Sequence, residues 1–436
     1  MGTKVDLAEL ENAPIDDRMK GVPGGTPPFP LGAIGAKGWN LLREDLPLPV
    51  VVLKDSALAH NGAWMRRFLE AGGAALAPHG KTTMSPQLFK RQLDDGAWAI
   101  TLATVGQVQV ARRYGVPRVL FANQLVGRAA VRYVLDELKR DPGFDFYALV
   151  DSVAGVRRLA EAARDRPPGR PLRLLVEGGF AGGRTGARTL AAALEVARAV
   201  RDAAPALALH GVEGFEGIIA GPDPAATEDR VGAFLDFLVE IARAAAAESL
   251  FADGPVILSA GGSGNYDLAV GRLAKAGLRR ETKTVIRAGC YLTHDSLLYR
   301  DLFRRMAERS PAVRRLGDGL RPALELWAYL LSRPEPTRAI LGFGKRDSSY
   351  DSGLPAPQSW FRPGSEDAPR PLGPDHRVVA LNDQHAFMDL PAESPLRVGD
   401  MVALGLSHPC LVFDKWQVIP VVDDEYDVVS AIRTFF

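Results

Sequence analysis

Eight short apolar runs, each followed by a turn or an amphipathic helical stretch, constrain the possible folds of this chain more than any other feature. The runs are Ala74–Ala77, Trp98–Thr101, Arg118–Phe121, Phe146–Val150, Leu172–Glu177, Leu207–Phe215, Val256–Ala260 and Thr284–Ala288. Between them, Thr104–Tyr114, Ala129–Lys139, Val153–Arg164, Leu190–Ala203, Val231–Glu248 and Asp267–Ala276 repeat apolar residues at three- and four-residue spacing. That is the period of a helix with one buried face. Strands alternating with helices imply parallel pairing, because a parallel neighbour is reached only through a long crossover. Eight such units within about 220 residues predict an α/β fold, a (β/α)8 TIM-type barrel. An open doubly wound sheet is the alternative. No GxGxxG follows the first run, which argues against a dinucleotide-binding version of it.

The flanks have a different texture. Gly21–Pro30 is too rich in Pro and Gly for a helix or strand interior, and Leu48–Leu53 reads as a buried strand with no helix partner. After about residue 300, Leu324–Leu331, Arg338–Gly342, Arg377–Leu381, Met401–Leu406, Leu411–Val418 and Val428–Ile432 read as short strands separated by turns. Ser348–Pro374 reads as one long polar loop. The expected organisation is an N-terminal segment over 1–55 whose strand joins a later sheet, a barrel over 56–310, and an all-β C-terminal domain over 311–436.

Composition narrows the partners. A net charge of +1 gives no field for nucleic acid or an anionic membrane, and no apolar run is long enough to span one. The first residues lack the apolar core of a secretory signal. Two cysteines 120 residues apart, Cys290 and Cys410, exclude a disulfide scaffold and fit a reducing compartment. A cytoplasmic protein acting on a small molecule is expected.

Reactive residues then fall just after the runs, where a parallel barrel binds its ligands. Lys81, in Ala77-Pro-His-Gly-Lys-Thr-Thr, follows the first. A partly desolvated lysine there loses its proton more easily and can form a Schiff base with a carbonyl; a solvated loop lysine is the plain alternative. Arg184, among Gly182, Gly183 and Gly186, follows the fifth; tight turns around it would aim its guanidinium at an anionic oxygen. Gly261-Gly-Ser-Gly264 follows the seventh and precedes a helix. Backbone amides of Gly261, Gly262, Ser263 and Gly264 could cup a phosphate, although a plain tight turn has the same composition. Cys290 and Tyr291 follow the eighth. A lysine, a phosphate cup and an arginine in one barrel mouth point to pyridoxal phosphate, or to an aldolase that forms its Schiff base with the substrate. Far along the chain, His408 and Cys410 have H-x-C spacing. They form a two-donor set suited to Zn²⁺ with open positions, or simply a turn histidine and a buried cysteine. His385 is a third ligand, a base near the metal, or a loop histidine.

Together these motifs resemble the pyridoxal-phosphate enzymes of the alanine-racemase fold, in particular the D-serine dehydratase and D-threonine aldolase family. Pro78–Thr82 looks like the family's Schiff-base lysine motif and Gly182–Gly186 like its R-T-G segment, whose arginine contacts the cofactor ring. Gly261–Gly264 looks like its phosphate loop. Arg287-Ala-Gly-Cys-Tyr291 resembles its R-x-G-x-Y block, whose tyrosine helps hold the phosphate. His408-Pro-Cys410 is similar to the metal pair of the dehydratase branch. There are departures: Phe215 stands where the family usually has a tyrosine, and Asn382-Asp-Gln-His385 replaces an acidic pair before the histidine. Glu213 either faces the pyridine nitrogen or is a structural strand residue.

The resemblance implies pyridoxal 5'-phosphate on Lys81, with Arg184, Gly261–Gly264 and Tyr291 around it. It also implies a divalent cation (zinc, with manganese and magnesium as alternatives) on His408 and Cys410. Lys81 would be the base for the α-proton of a β-hydroxy-D-amino acid, with His385 or His79 as further proton carriers. The expected reaction is dehydration and deamination of a D-serine-like substrate to a keto acid and ammonia. Retro-aldol cleavage to glycine and an aldehyde is the first alternative and racemisation the second. A non-catalytic cofactor-binding protein is disfavoured by the C-terminal domain. The relatives' pairing implies a homodimer.

Overall fold

The computed structural model describes residues 5–436. Eight parallel strands curl around a common axis: Ala75–Leu76, Ile100–Leu102, Arg118–Gln124, Asp145–Val150, Leu172–Gly178, Leu207–Gly214, Val256–Ala260 and Thr282–Ile286. The eighth lies beside the first, with Val285 opposite Ala75 and Ile286 opposite Leu76. A parallel bridge between His79 and Thr101 links the first to the second and completes the circuit. Closure removes the free edges that an open doubly wound sheet keeps. Ala77, Ala99, Leu120, Tyr147, Leu149, Leu175, Ile257 and Val285 fill the interior, so the barrel has a packed core and not a channel.

Helices cover the outside because each carries one apolar stripe. In Val153–Asp165, for instance, Val156, Leu159, Ala160 and Ala163 are buried. Their starts are set by caps. Thr104 forms a reciprocal capping box with Gln107, and Ser152 and Thr189 accept from the amides of Gly155 and Ala192. Where the apolar period predicts a helix from Val231, the structure starts it at Pro224. Asp223 accepts from the Ala226 amide and Pro224 sits in the first turn, so cap chemistry starts the helix before its buried stripe begins.

The second sheet is built on Leu324–Glu335. It pairs antiparallel with Met401–Gly405 and with the early strand Val50–Lys54, placing Trp327 opposite Val50. Val418–Val422 adds to the other side of Val50–Lys54 and pairs with Val428–Arg433. Two expectations change here. Leu411–Val418 is not a strand: Cys410–Phe413 forms one helical turn, and the strand begins only at Val418. The polar stretch Ser348–Pro374 contains a strand, Ala356–Phe361, which pairs with Met401–Gly405 and buries Trp360 and Phe361. Two large aromatics outweigh the surrounding Pro, Gly and Ser. Among the described residues no helix is long and apolar enough to cross a membrane.

Candidate active site

The period of two along each strand sets what points into the barrel mouth. Ala77, Leu175 and Val285 belong to the interior, so His79, Glu177 and Arg287, two residues further on, also face inward. Glu213 sits opposite Glu177 in the register of the fifth and sixth strands. These side chains line a cavity of about 660 Å³ together with Lys81, Arg184, Phe215, Gly262 and Ser263.

Lys81 is the centre of a single helical turn, Gly80–Thr82, that begins where Pro78 ends the first strand. A Cβ on Gly80 would come within 2.8 Å of Ile100 and Phe89, so the turn lies directly on the barrel wall and Lys81 is exposed above it. Arg184 is held by a similar close approach. Gly186 has φ +98°, a Cβ there would meet the Gly178 backbone at 2.5 Å, and its amide donates to Asp151 Oδ2 at 3.0 Å. The loop is thereby folded back over the fifth strand, and the Arg184 guanidinium lies 4.6 Å from the centre of the Phe215 ring. Phe215 thus has a definite partner, which answers the question raised by the missing tyrosine.

The mouth contains buried polar atoms that make no hydrogen bond within the protein. Both carboxyl oxygens of Glu213, Nε of Arg287 and Nδ1 of His79 make no hydrogen bond. Arg287 Nη1 approaches Glu213 Oε1 to 2.5 Å, but off the hydrogen-bonding line. Burial pushes the Glu213 carboxyl up to about 8; Arg287 opposes this, and Glu177 and Glu216 reinforce it. His79 is held well below the usual histidine range by burial and then by the charges of Lys81, Arg287 and Arg184, so its ring is neutral. Glu177, by contrast, is satisfied, accepting from Thr185 Oγ1 at 2.6 Å and Gln124 Nε2 at 2.5 Å.

The glycine loop departs from expectation in one respect. The amides of Gly261 and Gly262 both donate to the buried carboxylate of Glu216, at 3.1 and 2.6 Å. An internal anion already occupies that half of the cup.

The C-terminal domain supplies a further part of the lining, beside Thr82. His408 stands in a left-handed turn at φ +52°, a conformation that costs a non-glycine residue roughly 1 kcal/mol or more. Asp295 holds it there. One Asp295 oxygen accepts from the His408 amide at 2.9 Å, and the other accepts from Leu297 and Tyr299 at the start of helix Leu298–Arg309. His408 Nδ1 bonds Asp351 Oδ2 at 2.5 Å, and the ring also contacts Cys410. Cys410 Sγ lies 3.8 Å from Cys290 Sγ and 3.6 Å from Thr82 Oγ1. Contacts from Cys290, His408 and Thr82 favour the Cys410 thiolate, against its burial, and lower the thiol to about 4. His408 rises to about 9, chiefly through its contact with Cys410 and then through Asp351.

Of the residues singled out from sequence, Lys81, Arg184, Gly262, Ser263, His408 and Cys410 line one cavity. Gly261 adjoins it beneath Glu216. Gly264 is not among the lining residues, and its Cβ position faces Leu302. Tyr291 is buried away from the cavity, with its hydroxyl on Gln92 and raised above the usual tyrosine range by burial. His385 is exposed in the turn between strands Arg377–Leu381 and Ala386–Asp389. Sequence reasoning did not single out Glu216, Thr82, Tyr299 or Asp351. Thr82 lies inside the quoted lysine motif and Glu216 directly follows Phe215, so proximity was the available signal. Nothing local marks Tyr299 or Asp351.

Residues 323–422 match the family described as a putative serine dehydratase domain. The 3-hydroxy-D-aspartate aldolase of Paracoccus denitrificans (strain Pd 1222) is 26% identical over 385 residues, 86% of this chain and 89% of that one. The chain thus has the alanine-racemase fold, and it is similar in its C-terminal part to the serine dehydratase domain and along most of its length to an aldolase of a β-hydroxy-D-amino acid. Solved structures of this fold superpose along its length. D-threonine aldolase from Filomicrobium marinum gives a TM-score of 0.72 at 20% identity, covering 91% of this chain and 97% of that one. D-threo-3-hydroxyaspartate dehydratase from Delftia sp. HT23 gives 0.70 at 19% identity, covering 91% and 99%. The matched family domain contains the His408 turn, and the barrel supplies the Lys81 wall of the same cavity.

Proposed function

We propose that this protein is a pyridoxal-phosphate-dependent, divalent-metal-assisted lyase that removes the β-hydroxyl of a D-serine-like amino acid, yielding a keto acid and ammonia. One observation carries the reading. The barrel's Lys81 and the C-terminal domain's His408–Cys410 pair line a single cavity.

The cavity suits the cofactor because its unpartnered buried atoms are those a pyridine ring with polar substituents can satisfy. They are the Glu213 oxygens, Arg287 Nε and His79 Nδ1. Lys81 would carry the aldehyde and Arg184, on Phe215, would flank the ring. Glu213 would meet the ring nitrogen. Ser263, which lines the cavity, would hold the phosphate, since Glu216 already takes the amides of Gly261 and Gly262. The donor set of His408 and Cys410 Sγ suits a borderline cation with open positions, and Asp351, hydrogen-bonded to Nδ1, orients the imidazole. Among the described residues no three His, Cys, Asp or Glu side chains already converge on one metal position.

Pyridoxal phosphate supplies an electron sink for bond breaking at Cα, and the cation supplies Lewis acidity toward the β-hydroxyl. The chain's own groups do the rest. Lys81 Nζ accepts the proton from the substrate's Cα. Asp351 fixes the His408 ring. Leu149, Phe215 and Ile218 line the cavity with apolar surface that displaces water from the reacting face. Elimination is preferred on the His408-Pro-Cys410 pair, which is similar to that of the dehydratase branch; of the two carriers for a retro-aldol proton, His385 stands outside this chain's cavity and His79 lines it.

Retro-aldol cleavage is the second reading. It is supported by the full-length alignment with an aldolase. Incubation with D-serine and D-threonine, with and without chelator, separates the two. Chelator-sensitive keto acid and ammonia from D-serine support elimination; glycine and acetaldehyde from D-threonine support the aldolase. Protein that takes up no pyridoxal phosphate overturns both. The working form is read as a homodimer, to be checked by sedimentation.

A further inference from the structure

We propose that Cys290 is a third protein ligand of the metal, giving a Cys2His site with one open position; the inference rests on the metal-assisted reading above. Cys290 follows the eighth barrel strand and Cys410 belongs to the C-terminal domain, yet their sulfurs are 3.8 Å apart. Two thiolates bound to one tetrahedral zinc at about 2.3 Å are separated by about 3.8 Å, the edge of the coordination tetrahedron. A disulfide would need about 2.05 Å. The spacing fits two ligands sharing an ion as well as the S–H···S contact seen without one.

The surroundings agree. Cys290 is buried except where it lines the cavity, so its sulfur faces the same space as Cys410 and His408. Thr82 Oγ1 lies 3.9 Å from Cys290 Sγ and 3.6 Å from Cys410 Sγ, packing against the pair from the lysine side. The Cys290 amide donates to Ser263 Oγ at 3.3 Å, which fixes the backbone from which the side chain projects. His408 Nδ1 is held by Asp351 and the same ring contacts Cys410; among the described residues the three donors do not converge on one point without the ion, so small side-chain shifts on binding are part of the proposal. Three protein donors plus one open position is the composition of a catalytic zinc site. A second thiolate also makes the site selective for zinc over the harder manganese and magnesium ions.

Zinc-edge X-ray absorption on the full-length protein loaded with pyridoxal phosphate and zinc tests this by counting sulfur neighbours. Two sulfurs at about 2.3 Å in the wild type, falling to one in Cys290→Ser, are expected. One sulfur in the wild type overturns the role of Cys290 and leaves the His408–Cys410 pair intact. Failure to retain zinc, or zinc without sulfur neighbours, overturns the metal-assisted reading itself. The wild-type spectrum alone decides the ligand count if Cys290→Ser does not fold. As a second readout, Cys290→Ser is expected to narrow the preference for zinc over manganese about tenfold or more in competition binding; an unchanged ratio counts against the proposal.

Discussion

The two ends of the barrel interior both carry inward-facing charged residues, but they are built on opposite principles. At the N-terminal end, Asp145 accepts from Arg118 Nε and Nη2 at 3.0 and 2.7 Å and from Arg173 Nη1 at 2.5 Å, and Arg173 reaches the Tyr147 hydroxyl at 3.1 Å. Burial would raise Asp145, but the two arginines hold it below its ordinary value. At the C-terminal end, Glu213 and Arg287 sit side by side without hydrogen-bonding each other, and Glu213 is raised. A satisfied network closes the bottom of the barrel. An unsatisfied one lies open at the top, where a ligand can complete it. Unpaired buried polar atoms, more than charge itself, separate a binding end from a structural end.

The most severe way to break that contrast acts at the top. Lys81→Ala is expected to lower turnover of D-serine by about 10³-fold or more with an unchanged melting temperature, because Lys81 is exposed and stabilises nothing. Calorimetry beside a keto-acid assay checks both halves. Cys410→Ser is expected to cost about 10²-fold in turnover and to abolish sensitivity to chelator. Retained sensitivity would place the metal elsewhere.

At the bottom the pattern reverses. Asp145→Asn is expected to destabilise folding by about 2 kcal/mol, less than for a fully buried pair because Arg118 and Arg173 keep contact with water. Turnover per folded molecule should be unchanged, and urea unfolding with a parallel assay measures both.

The mildest expected effect is pH-dependent. Glu213 has a folded-state value near 8 against an ordinary 4.5, so the folded state keeps a proton that the unfolded state loses. The stability due to its neutral form is fully present below about pH 4.5 and declines as pH rises towards about 8. The melting temperature of cofactor-free protein should fall across that window, and fall less in Glu213→Gln. Parallel slopes for the two proteins would remove Glu213 as the cause.

The site was legible to the extent that its residues lie beside strand ends. Lys81, Arg184 and the Gly262–Ser263 pair each follow an apolar run, and the barrel's geometry sends strand ends to one place. Tyr291 shows the limit of that logic. It belongs to the same R-x-G-x-Y block as Arg287, but the chain turns after Gly289, and its ring goes into the wall against Gln92. His385 shows another: a histidine near a strand end in an antiparallel sheet has no common mouth to join. Leu411–Val418 looked like a strand because four apolar residues precede Asp414, yet they form a helical turn that sets Cys410 against the barrel.

Sequence by itself determined the architecture. Periods of two and 3.6 are local properties, and eight alternations of them leave few folds that bury every apolar face. It also determined which residue types are available for chemistry. Only the tertiary structure decided which of them meet. Cys290 and Cys410 are 120 residues apart in the chain and 3.8 Å apart at sulfur. Glu216 fills half of a glycine cup that composition alone left open. Asp351 reaches His408 from a loop whose sequence marks it only as polar. Such contacts depend on how two separately formed sheets are docked, and the burial that fixes their docking is spread over the whole core instead of being written in any one segment.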